Sequence, residues 1–188
     1  MKYSKYSLRL MFVFGIGVLA ACVVNVSFDM NQAEILVNSN KTSINTILPI
    51  DPSDPKAQPD LQIVRDHANN VESISLDSVD ITIKQILPTN QATSVVGYVA
   101  LRASVAPSDG SQDIVLGELG ATTGKLPPFK IEQGTTVHLQ GNAKLDAFLL
   151  SEIKSLSKFY LVISGQTAGG EAHLVLSGVL HMNLAYGI

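Results

Sequence analysis

Four histidines, His67, His138, His173 and His181, are the first candidates for chemistry, because imidazole binds metals and moves protons near neutral pH. His173 and His181 fall on one face if their segment is a strand. Eight residues at roughly 3.3 Å each separate them by about 26 Å, too far to share an ion whose ligand bonds are near 2 Å. Both read as solvent-facing strand residues, and nothing in the sequence links His138 to His67. The stretch Gly117–Lys125 falls short of a phosphate-binding loop on three counts. Gly120 and Gly124 enclose three residues instead of four, Leu126 stands where a hydroxyl would hold magnesium, and Pro127-Pro128 follows where a helix should open. No Gly-x-Ser-x-Gly nucleophile turn occurs. Asp77 and Asp80, three apart on a strand, should face opposite sides, and Glu132, Asp146, Glu152 and Glu171 are isolated. Asp109-Gly-Ser-Gln-Asp113 lacks the alternating acids and distal glutamate of a calcium loop. No catalytic set, cofactor or metal is therefore expected.

Cys22 is the only cysteine in the chain and needs a reason of its own. Residues 1–9, MKYSKYSLR, are short, polar and positive, and residues 10–21, LMFVFGIGVLAA, are uncharged and end in small side chains. That is the arrangement of an export signal. The apolar run stops at Asn25, short of the roughly 20 residues that span a bilayer. Leu19-Ala20-Ala21-Cys22 resembles the lipobox of bacterial lipoproteins. The resemblance implies a signal peptide over residues 1–21, cleavage after Ala21, diacylglycerol on the Cys22 thiol and acylation of the new amino group. It also implies anchoring to a membrane through that lipid. Val23 is not the aspartate that marks inner-membrane retention in such proteins, so the resemblance points to the outer membrane, facing the periplasm.

Charge argues against nucleic-acid binding. Three of the thirteen basic residues, Lys2, Lys5 and Arg9, precede Cys22, and all sixteen acidic ones follow it. The remainder carries a net −6 with no basic cluster, so phosphate contacts have nothing to build on.

The elements that must hold any site read as mostly strands. Val24, Val26, Phe28 and Met30 alternate with polar residues, so the fold begins almost at Cys22. Residues 33–37 fit a second short strand or a helical turn. ILPIDPSDPKAQPD at 47–60, with four prolines, reads as a loop or edge crossing. Alternation over 74–83 slips at Asp77-Ser78, indicating a bulge or a break between strands. Further strands are expected over 94–106, 114–119 and 135–139. The period changes at 142–156, where Leu145, Phe148, Leu149, Ile153 and Leu156 form a helical stripe behind the N-cap Asn142. Residues 159–167 and 172–186 flank Gly169-Gly170 and read as a hairpin.

The expectation is a single mainly β domain over 22–188, an antiparallel β-sandwich or a curved sheet covered by one amphipathic helix. Its function would be that of a non-enzymatic binding or scaffolding module with a protein partner. The alternative is a carrier of a lipid or other apolar ligand in an internal cavity. Leu145, Phe148, Leu149 and Ile153 from the helix, with Leu174, Leu176, Leu180 and Met182 from the final strand, would then line the slot.

Overall fold

The computed structural model describes residues 23–39, 41–56, 58–120 and 126–188. Nine strands form two antiparallel sheets. In chain order they are β1 (Val23–Asn38), β2 (Ser43–Ile50), β3 (Val71–Ile86), β4 (Ser94–Ala103), β5 (Ile114–Leu119), β6 (Phe129–Lys130), β7 (Thr136–Gln140), β8 (Phe159–Ala168) and β9 (His173–Gly187). One sheet runs β1-β9-β3-β7 and the other β2-β8-β4-β5, with β6 pairing the start of β4 beside β5. The inward faces are mostly aliphatic, and the two sheets share one core that includes Met30, Ile35, Ile83, Leu101 and Leu161. This is the β-sandwich the alternation implies.

β9 shows how the pattern dictates the layer. Leu174, Leu176, Leu180, Met182, Leu184 and Tyr186 point inward and are buried, while the intervening residues face out. β3 is one long strand, and the phase slip is a bulge: its pairing with β9 shifts between Leu76 and Ser78. Likewise β1 continues through 33–37 after an irregularity between Gln32 and Ile35, so no separate element forms there.

Three expectations are corrected. β8 and β9 are not a hairpin: β8 lies between β2 and β4, and β9 between β1 and β3, in the opposite sheet. Gly169 and Gly170, with φ of 92° and 134°, carry the chain from one layer to the other past Gln91, where a Cβ on either would collide. The segment 47–60 is not all loop, because β2 runs through Ile50. β2 is an edge strand, the position in a sheet where proline is tolerated. Finally, a second helix, α1 (Gln62–His67), sits between two 3₁₀ turns, Pro59–Leu61 and Ala68–Asn70. Its buried contacts, Leu61 and Val64, are too few to give a period in the sequence.

The expected helix is α2 (Ala143–Lys154), capped by the Asn142 side chain, which accepts from the Lys144 and Leu145 amides. Leu145, Leu149 and Ile153 are fully buried, and Phe148 meets Phe159 edge-on at 5.8 Å. The helix rests on the β3 bulge. Gly141 donates to the Asp77 carbonyl, and the Asp146 carboxylate accepts from the Leu76 amide at 2.9 Å.

Candidate functional site

Cys22 and the preceding Leu19, Ala20 and Ala21 lie outside the described residues, as does the whole segment read as a signal peptide. Most of the Gly117–Lys125 stretch is likewise outside; its flanks, Leu119 and Leu126, meet in a short parallel bridge.

The eight apolar candidates are core. Leu145, Leu149, Ile153, Leu174, Leu176, Leu180 and Met182 are buried, and Phe148 is half-buried against that core. Leu174 and Leu176 do border a void between the sheets, but its volume is about 30 Å³. Small-molecule sites run to several hundred Å³.

The histidines are where the fold does something the sequence concealed. β1, β9, β3 and β7 place Asp29, His181, Asp80 and His138 in one row across the outer face of their sheet. His181 presents Nδ1 to Asp29 at 2.7 Å and Nε2 to Asp80 at 3.4 Å. The second Asp80 oxygen meets His138 Nδ1 at 2.5 Å, and His138 Nε2 faces the Gln140 amide nitrogen at 2.6 Å. Carboxylates at both ring nitrogens favour the imidazolium form of His181. The His138 ring is held between Asp80 and Gln140.

A second row runs parallel. Ser27 Oγ donates to Asn183 Oδ1 at 2.5 Å, and Asn183 Nδ2 donates to Asp77 at 2.7 Å. Asp77 and Asp80 therefore share the outer face, against the expectation from simple alternation, because the bulge at Leu76/Ser78 resets the phase between them. Ser27, Asp29, Asp77, His181 and Asn183 border a shallow depression of about 440 Å³. A serine, a histidine and an aspartate meet here without forming a nucleophilic triad. Ser27 bonds Asn183 instead of His181, and both His181 nitrogens are already taken by carboxylates.

The remaining candidates are structural. His67 stacks on Tyr186 with ring centres 3.8 Å apart, fastening α1 to the end of β9. His173 meets Asn38 at 2.5 Å and Glu171 at 3.5 Å. Asp113 is held by Arg102 rather than free for calcium, and Asp109 accepts from the Ser111 amide in its own turn. Burial raises the Glu152 carboxyl above the ordinary glutamate range. Among the described residues, no group of three or more His, Cys, Asp or Glu side chains is placed to hold a metal ion.

The His181 row has a measurable consequence. The hydrogen bond to Asp29, assisted by Asp80 and opposed by desolvation, raises His181 above its ordinary 6.5. A raised folded value means the contribution is complete below pH 6.5 and is lost as pH climbs through the folded value. With the ring about one-third exposed (34%), solvent screening limits it to under about 1 kcal/mol. Thermal melts of wild type and His181→Gln at pH 5.5 and 8.5 should differ more at the lower pH. Equal differences at both would mean the row does not titrate.

A separate concavity lies at the side of the sandwich, where β5, β6 and β7 approach. It measures about 390 Å³, is floored by Leu119, Phe129 and Val137 and walled by Leu126, Pro127 and Pro128. Lys130, Glu132 and His138 stand at its margin. His138 thus ends the outer row and borders this groove.

No family model matches the chain, and no curated protein matches it. Distant solved structures exist. One of desmodium yellow mottle tymovirus aligns over 99% of this chain and 97% of its own at 11% identity, with a TM-score of 0.38. One of turnip yellow mosaic virus covers 89% and 96% at 12% identity, TM-score 0.38, and a second covers 90% and 96% at 13%, TM-score 0.35. Similarity this slight carries no argument about function.

Proposed function

We propose that this chain is a lipid-anchored envelope protein whose β-sandwich is a non-enzymatic binding or scaffolding module on the periplasmic side of the outer membrane. The observation that carries the reading is the junction at Val23. Val23, the first described residue and the one after the cysteine of the lipobox-like segment, is already in β1 and paired with Gly187, so lipid on Cys22 would hold the sandwich close to the bilayer. Two or three acyl chains on one residue, at roughly 0.8 kcal/mol per buried methylene, suffice for lasting attachment. No helix among the described residues is long and apolar enough to cross a membrane. The outer face of β1-β9-β3-β7 supports the binding half of the proposal, since its Ser, Asn, Asp and His groups are tied into ordered rows beside a depression of about 440 Å³.

Cys22→Ser tests the anchor. The variant should lose incorporation of labelled palmitate and move from membrane to soluble fractions, and unchanged membrane retention would refute the proposal. As for carriage of an apolar ligand, a void of about 30 Å³ between the sheets gives an acyl chain no room in the interior. The side groove is the place that favours that second reading.

A further inference from the structure

We infer that the side groove is a binding site for a single-chain amphiphile with a zwitterionic head. The inference deepens the binding-module reading and is independent of the lipid anchor. It starts from a shared wall. Leu119, Phe129 and Val137 floor the groove on one side and line the small inner void on the other. The groove is thus the place where the sandwich core comes nearest to opening between β5/β6 and β7, and a thin apolar chain is the shape that fits such a cleft. The groove's volume of about 390 Å³ lies within the range of small-molecule sites. Pro127 and Pro128 have no backbone donors to leave unpaired beneath an apolar chain.

The margin selects the head. Lys130 and Glu132 flank the buried Ile131, so both are exposed on the same stretch with opposite charges. A lone carboxylate, as in a fatty acid, gains from Lys130 and loses to Glu132. A phosphate–ammonium head satisfies both, its anion at Lys130 and its cation at Glu132.

The test uses full-length protein in native membrane fragments and a dodecylphosphocholine carrying a diazirine in its chain. After irradiation, peptide mapping should place the label within Leu126–Lys130 or Thr135–His138. Unlabelled dodecylphosphocholine should compete for it more than tenfold better than dodecanoate. Lys130→Glu, an exposed change that leaves the fold intact by circular dichroism, should cut labelling at least fivefold. Val137→Trp, which fills the groove, should abolish it. Label confined to other segments, labelling indifferent to Lys130→Glu, or equal competition by dodecanoate would each overturn the proposal. Membrane release of Cys22→Ser is a separate readout, so the anchor and the groove can fail independently.

Discussion

Asp113→Leu should destabilise the protein by about 3–5 kcal/mol, because it strands a buried guanidinium. Arg102 lies in β4 with its side chain only 5% exposed, and the Asp113 carboxylate is 2% exposed. The pair is bidentate: Nε meets one oxygen at 2.5 Å and Nη2 the other at 2.8 Å, with Tyr98 donating to the same carboxylate. Its hydrogen bond to Asp113 raises the Arg102 pKa against the opposing effect of burial. Arginine cannot escape by losing its proton, so the variant must open the β4–β5 connection to let water in. Urea unfolding measures the loss. The double variant Arg102→Met/Asp113→Leu should recover most of it, because removing both charges removes the desolvation cost along with the attraction. A double variant as unstable as the single one would mean that the loop depends on the pair's geometry rather than on charge balance.

Gly141→Ala should cost about 3 kcal/mol, at the upper end of overpacking effects. A Cβ at Gly141 would lie 1.5 Å from the Leu76 carbonyl oxygen, a backbone atom that cannot rotate aside. Relief requires lifting the start of α2 from the β3 bulge, which breaks the Gly141–Asp77 bond and strains the Asp146–Leu76 contact. Gly178→Ala is the control. Its Cβ would meet Ile35 at 3.5 Å and Gln32 at 3.6 Å, ordinary contact distances, and the change should stay within about 0.5 kcal/mol. Comparable losses at the two glycines would show that steric approach at Leu76 is not the cause. Faster amide exchange at Leu76 in Gly141→Ala would confirm where the fold yields.

What the sequence made legible was whatever depends on near neighbours. The Asn142 cap, the α2 stripe, β5 and the inward face of β9 all follow from spacing within a dozen residues. Pairing across the chain left no such trace. Gly169-Gly170 between two apolar runs has the local chemistry of a hairpin, and only the packed layers reveal that the runs belong to different sheets. The Asp–His row is hidden for the same reason. Asp29, Asp80, His138 and His181 come from four strands, and no window of sequence contains more than one of them. The phase slip at Asp77-Ser78 held a usable clue, since a bulge turns two aspartates three apart toward the same side.

The pairing of β1 with β9 sets the order of events during folding. Val24 lies opposite Tyr186 and Met30 opposite Leu180, so the first strand finds its sole sheet neighbour some 150 residues later in the chain. β3 is bound to β9 as well, which makes β9 the keystone of its sheet. Until β9 has been synthesised, β1 and β3 have no strand between them and that sheet cannot close. Contacts at such separation form slowly and only after most of the chain is available. The sheet therefore cannot assemble until nearly the whole chain is available, and the sandwich locks only once β9 is in place between its two neighbours.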